Sequence, residues 1–148
     1  MNQVSIAIVA SKFNEFITNQ LHQACLTELK RLGLKEKQIT TVWVPGSFEI
    51  PLAALRLAKR KNVDAVICLG AVIRGETYHF EMVANECGRG IMEVSLLAQK
   101  PVIMGVLTTD TVAQARARSA HSAGNNKGRD CAVAAMEMIA LLKKTSLP

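Results

Sequence analysis

The chain has 148 residues, 49% of them hydrophobic and 20% charged, which excludes a disordered or fibrous protein and matches one globular domain able to bury its own core. Its 18 basic and 12 acidic residues leave a formal charge of +6, which suggests anionic partners without choosing among them. Cys25, Cys68, Cys87 and Cys131 stand far apart with no C-x-x-C pair, which argues against a zinc ribbon, a redox dithiol or a disulfide scaffold and fits a reducing cytoplasm.

The N-terminus has no basic stretch before its short apolar run, so no signal peptide is expected. No apolar run approaches a membrane span, so no membrane partner is expected. Val4 to Ala10 is β-rich and nearly all apolar, the pattern of a strand buried on both faces. Asn14 is placed to cap the helix that follows, whose apolar face runs Ile17, Leu21, Cys25, Leu29 and Leu32 before Gly33 stops it. Ile39 to Val44 is the second strand, broken by Pro45-Gly46. Pro51 suits the first turn of a second helix that reaches about Lys61.

Asp64 precedes a third apolar strand, Ala65 to Ala71, and a loop from Val72 to Tyr78 follows. A long helix from about Phe80 to Ala98 presents Phe80, Val83, Ala84, Cys87, Ile91 and Val94 on one face. Pro101 introduces a fourth strand, Val102 to Thr108. Asp110 or Thr111 caps a short helix to about Ala117. A polar loop, Ser119 to Gly128, leads to a last helix ending near Lys144, with Cys131, Ala134, Ala135, Met138 and Leu142 on its buried face.

Apolar strands alternating with amphipathic helices predict an α/β chain in one domain over residues 1–148. The expected architecture is a three-layer sandwich around a four-stranded parallel sheet, flavodoxin-like in kind. Ligands of such sheets bind beyond the carboxyl ends of the strands, so the segments after each strand are where chemistry is sought. Phe13, after the first strand, is either a staple on the following helix or a surface for stacking a planar ligand. After the second, Ser47 and Glu49 suit a helix start, while Phe48 and Glu49 equally suit a ligand-facing edge where the carboxylate accepts from hydroxyls.

After the third strand, Gly75 permits close backbone approach, and Thr77 with the N–H groups of a helix start offers an anion cradle. It is neither a Walker motif nor a G-x-G-x-x-G. His79 stands beside that cradle, where the helix N-terminus favours a neutral imidazole able to accept a proton. A solvated structural histidine is an equal reading. Beyond the fourth strand, Arg116, Arg118, His121, Lys127 and Arg129 form either a solvated basic face or a phosphate clamp. Spacing does not choose between Arg116 and Arg118.

Taken in order, Lys12-Phe13-Asn14, Val44 to Pro51 (Val-Pro-Gly-Ser-Phe-Glu-Ile-Pro), Gly70 to His79 (Gly-Ala-Val-Ile-Arg-Gly-Glu-Thr-Tyr-His), Gly105 to Thr109 and Asn126-Lys127-Gly128 resemble the lumazine synthase family over nearly the whole chain. The resemblance implies condensation of 5-amino-6-(D-ribitylamino)uracil with (3S)-3,4-dihydroxy-2-butanone 4-phosphate, releasing phosphate and water, the penultimate step of riboflavin biosynthesis. It implies no metal and no organic cofactor. By that resemblance Phe13 stacks on the pyrimidine, Ser47, Phe48 and Glu49 contact pyrimidine and ribityl chain, and Ala71, Val72 and Ile73 read the uracil edge through the backbone. Glu76 and Thr77 match the phosphate loop, with the Glu76 side chain turned away from the anion. His79 matches the proton-transfer residue, Arg118 the phosphate-binding arginine and Lys127 a further polar contact.

Met104 takes a substrate-contacting position where the family often has an aromatic ring, and it can fill that slot as a soft apolar surface. The stretch from Ser119 to Lys127 carries an extra Asn relative to the commoner Gly/Lys-rich version. The resemblance further implies homopentamers with sites shared between neighbours, sixty-subunit shells in some members, and riboflavin synthase as a candidate partner. The short segment before the first strand leads to the expectation of a pentamer or a pentamer pair. The rival readings are a flavin- or nucleotide-binding module without turnover, which the fold permits, and a phospho-receiver, disfavoured by Ala10-Ser11-Lys12 in place of an acidic cluster. Nucleic-acid binding is not expected, because aromatic residues are only 4% and no basic stripe interleaves with them.

Overall fold

The computed structural model describes residues 3–121 and 124–145. Residues 122 and 123 of the polar loop between Ser119 and Gly128, and residues 1 and 2 ahead of the first apolar run, therefore lie outside the described residues. The strands are β1 (Ile6–Ser11), β2 (Ile39–Val44), β3 (Ala65–Ile73) and β4 (Val102–Thr109). The helices are α1 (Glu15–Arg31), α2 (Ile50–Ala58), α3 (His79–Ala98), α4 (Val112–Ser119) and α5 (Lys127–Thr145). The sheet is parallel throughout in the order β2-β1-β3-β4. Helices cover both faces, giving the expected flavodoxin-like α/β sandwich.

The strand periodicity of two divides the core. Ile6, Ile8 and Ala10 of β1 meet Ile17, Leu21, Cys25 and Leu29 of α1 and Cys131, Ala132, Ala135 and Ile139 of α5. Ala7 and Val9 face the other way, against Ile50, Ala54 and Leu57 of α2 and Cys87, Ile91 and Val94 of α3. Removing one fully buried side chain such as Leu21 is worth about 2–5 kcal/mol.

Several boundaries differ from the sequence reading. β1 begins at Ile6, where its ladders to Ile39 and Ala65 both start. β3 runs to Ile73 because β4 stays paired through Val72 with Thr108 and Ile73 with Thr109. α2 stops at Ala58, and α3 begins at His79. On α5, Cys131 and Ala135 are buried as expected, but Ala132 and Ile139 complete the buried face, while Ala134 is half-buried and Met138 is 37% exposed. Gly128 stands in the first turn of α5, packed on α1. A Cβ there would stand 2.0 Å from the Leu21 carbonyl oxygen, so only glycine lets α5 begin against the backbone of α1.

The capping expectations divide as well. Thr111 caps α4, its hydroxyl accepting from Gln114 N–H at 3.1 Å, and the Gln114 side chain accepts from Thr111 N–H at 3.2 Å. α1 ends as expected, with the N–H groups of Gly33 and Leu34 donating back to the Lys30 and Leu29 carbonyls. Asn14 occupies the position before α1 but makes no side-chain cap. Ser47 and Glu49 form a 3₁₀ turn ahead of α2, and neither caps that helix by its side chain.

Candidate active site

The carboxyl ends of β1, β2 and β3 open onto a cleft of about 710 Å³. Its walls are set by backbone bonds that follow directly from the strand ends. Beyond β1, Lys12 N–H donates to the Val44 carbonyl at 2.8 Å and Phe13 N–H to the Pro45 carbonyl at 3.1 Å, so the first loop tracks the end of β2. This leaves Phe13 at the cleft mouth, 72% exposed, rather than stapled onto α1. Asn14 adopts the left-handed conformation with φ 59°, and its Nδ2 donates to the Ala71 carbonyl at 2.8 Å. The β1 loop is thereby tied to the end of β3.

The Pro45-Gly46 break and the 3₁₀ turn after it bring Ser47, Phe48 and Glu49 to the same cleft. Ser47 is buried against Gly70, and Phe48 is open to solvent at 57% exposure. From β3 come Ala71, Val72 and Ile73, then Gly75 and Thr77 of the following loop, and His79 at the first position of α3. His79 is exposed, and its N–H donates weakly to Thr77 Oγ1 at 3.4 Å. Nine sequence-derived candidates therefore share one cleft: Phe13, Ser47, Phe48, Glu49, Ala71, Val72, Ile73, Thr77 and His79.

Two others sit elsewhere. Arg118 and Lys127 line a second cleft of about 340 Å³ beside β4, with Thr108, Thr109, Asn125 and Asp130. Arg118 Nη1 donates to the Gln114 carbonyl at 2.9 Å, which tethers it along α4. Lys127 is placed by Asn126, which is almost fully buried. Asn126 Oδ1 accepts from the N–H groups of Gly128 at 2.8 Å and Arg129 at 3.1 Å, while Nδ2 donates to the Ser119 carbonyl at 2.8 Å. Asn at a helix start is a strong capping signal, and it marks Asn126 as the residue that fixes the register of Lys127. Two candidates line neither cleft. Glu76 is exposed in the loop after β3. Met104 is 38% exposed on β4, its terminal methyl 4.0 Å from where a Cβ on Gly88 would stand. Arg116, the arginine that spacing could not separate from Arg118, lies over the Phe16 ring at 5.2 Å.

The family model for 6,7-dimethyl-8-ribityllumazine synthase matches residues 3–143. The chain belongs to that family. Its function is that of a lumazine synthase, a transferase of riboflavin biosynthesis.

In this lumazine synthase the larger cleft is lined by hydrogen-bonding and acid–base side chains, among them Asn14, Ser47, Glu49, Thr77 and His79. All four thiols are buried, and burial pushes Cys87 up to about 11 and Cys131 up to about 12, so they stay protonated and poor as nucleophiles near neutral pH. Among the described residues no three His, Cys, Asp or Glu side chains gather into a metal-binding group. No helix among them is long and apolar enough to cross a membrane.

Proposed function

We propose that the two clefts are halves of one lumazine synthase site, the larger contributed by one subunit and the smaller by its neighbour. The observation that carries this reading is the segregation of candidates: His79, Phe13 and the β2 turn lie in one cleft, Arg118 and Lys127 in another. A head-to-tail contact brings unlike surfaces together, and a ring is its closed form. Large apolar side chains on the outer faces of α2 and α3 supply surface for such a contact, with Leu52, Leu96 and Leu97 each 70% exposed and Met92 61%. A homopentamer, alone or paired, built from chains each serving as one domain, is the assembly we assign. Buried free thiols suit a reducing cytoplasm.

In this site the ribitylaminouracil enters the larger cleft. Its pyrimidine stacks on Phe13. Ser47 and Phe48 border the ring, and the Glu49 carboxylate accepts from ribityl hydroxyls. The backbone of Ala71, Val72 and Ile73 meets the uracil edge, where strand-end amides and carbonyls give directional recognition. The neighbour's Arg118 binds the phosphate of the butanone, aided by main-chain donors around Glu76 and Thr77, and Lys127 adds a polar contact. Met104 approaches from β4 as an apolar filler. The pyrimidine amine attacks the ketone, loss of water gives a Schiff base, phosphate is eliminated, and ring closure releases water. His79 relays the protons. Holding the two reactants aligned can itself supply up to about 7–11 kcal/mol, so proton transfer is not the whole of the acceleration.

Mixing the assembled protein with both substrates tests the reading. The lumazine chromophore and inorganic phosphate are expected to appear in equal amounts. A bound yellow chromophore without turnover would instead support a flavin-binding module.

A further inference from the structure

Arg74 is the first residue beyond β3, and its guanidinium joins three elements. Nε donates to Asp110 Oδ1 at 2.7 Å, just past the end of β4. Nη1 pairs with Glu81 in the first turn of α3, and the guanidinium carbon lies 4.4 Å from the centroid of the Phe80 ring. The backbone N–H of Arg74 also donates to the Thr109 carbonyl at 2.9 Å, carrying the sheet ladder one step further. Gly75, Thr77 and His79, which line the larger cleft, all fall between Arg74 and its partners Phe80 and Glu81.

We infer that Arg74 is a positioning residue for the lumazine synthase reaction, clamping the segment from Gly75 to His79 across the mouth of the larger cleft. The inference rests on the proposed roles of that segment in holding phosphate and moving protons. A loop anchored only at its two backbone ends samples many conformations. A planar guanidinium held by two carboxylates and stacked on a ring has few. The clamp thus fixes both ends of the loop relative to β4, and the distance from His79 to the phosphate cradle with them. Asp110 also donates its N–H to Gln114 Oε1 at 2.8 Å, so the same network reaches the start of α4, the helix that carries Arg118. Arg74 touches neither reactant in this scheme and acts through the loop.

The test compares Arg74→Met and Arg74→Lys with the native protein, each first checked for native mass. Substitution leaves the backbone bond to Thr109 intact, so it probes the side chain alone. Arg74→Met is expected to lower kcat and raise KM for the butanone phosphate by about tenfold to a hundredfold in kcat/KM, the size of effect that a small misplacement produces. KM for the pyrimidine, whose contacts on Phe13, the β2 turn and the Ala71–Ile73 backbone are held by strand pairing and not by the clamp, is expected to stay within about twofold. Arg74→Lys, which keeps the charge but cannot fork to both carboxylates, is expected to fall between. Glu81→Gln and Asp110→Asn each remove one limb at a solvent-accessible position and are expected to show the same split in weaker form, non-additive with Arg74→Met. They decide the matter if Arg74→Met does not assemble. Unchanged kinetics, or equal rises in KM for both substrates, would overturn the inference. His79→Gln serves as the reference: no loss of kcat there would overturn the parent reading and this inference together, whereas a loss there beside unaffected Arg74 variants overturns this inference alone.

Discussion

Asn14 Nδ2 donates to the carbonyl of Ala71 at 2.8 Å, joining the loop after β1 to the end of β3 beneath the cleft. The bond explains why a left-handed backbone at Asn14 persists: asparagine tolerates that conformation better than most residues, and its side chain is aimed across the sheet only from there. Asn14→Gly keeps the conformation and loses the bond, at about 0.5–1.5 kcal/mol. Asn14→Ala loses the bond and adds about 1–2 kcal/mol of left-handed strain. Thermal unfolding should rank the native chain above Asn14→Gly and both above Asn14→Ala. KM for the pyrimidine should rise in both variants because Phe13 is the adjacent residue. A more stable Asn14→Ala would contradict the role given to this bond.

Gly70 lies under the same cleft. A Cβ there would stand 2.6 Å from Ser11 Oγ and 2.9 Å from Ser47 Oγ. Ser11 is fully buried, so most of the displacement passes to Ser47 on the cleft wall. Gly70→Ala is expected to cost about 1–3 kcal/mol of stability, the usual range for overpacking, and to raise KM for the pyrimidine more than KM for the butanone phosphate. Differential calorimetry and steady-state kinetics on the one variant measure both, and an unaltered pyrimidine KM would show that Ser47 does not contact that substrate.

Much of this was legible in the residues. The alternation of apolar strands with amphipathic helices specified a parallel sheet covered on both faces, and the segments after β1, β2 and β3 converge as that topology requires. What the sequence did not disclose depends on partners distant in the chain. Asn14 read as a cap because a cap is local, whereas its partner Ala71 is brought near only by the sheet order. The α5 stripe agrees at Cys131 and Ala135 but not at Ala134 and Met138, because which residues of that helix are buried depends on how it seats against α1 and the sheet. Arg118 and Lys127 follow the fourth strand and His79 the third, so a division between strand ends is legible in the sequence, whereas the separate cleft beside β4 emerges only from the packing of α4 and α5 on that edge strand.

His22 introduces a pH dependence remote from the cleft. It is 8% exposed, its Nε2 is 2.8 Å from Thr41 Oγ1, and its ring meets Trp43 edge-on at 5.4 Å between centroids. Burial lowers its pKa below the ordinary 6.5, because desolvation penalises the imidazolium. The unfolded chain therefore takes up the proton first. The folded state has its full stability above about pH 6.5 and loses some as pH falls from there toward the lowered value. Denaturant unfolding at about pH 7.5 and about pH 5.5 should show a larger loss for the native chain than for His22→Gln. Equal losses would mean that His22 is not the group responsible.

The division of the candidates between two clefts is tested most directly by subunit mixing. His79→Ala and Arg118→Ala each damage a different half-site, and each parent assembly should be strongly impaired, though His79→Ala not wholly inactive. When equal amounts of the two chains are dissociated and reassembled together, about a quarter of the interfaces of a closed ring will pair an intact His79 cleft with an intact Arg118 cleft. Activity of the mixture should then rise well above the mean of the two parents, toward about a quarter of the native value. A mixture no more active than that mean, with subunit exchange verified by native mass spectrometry, would show that each chain completes its own site and would contradict the shared-site reading.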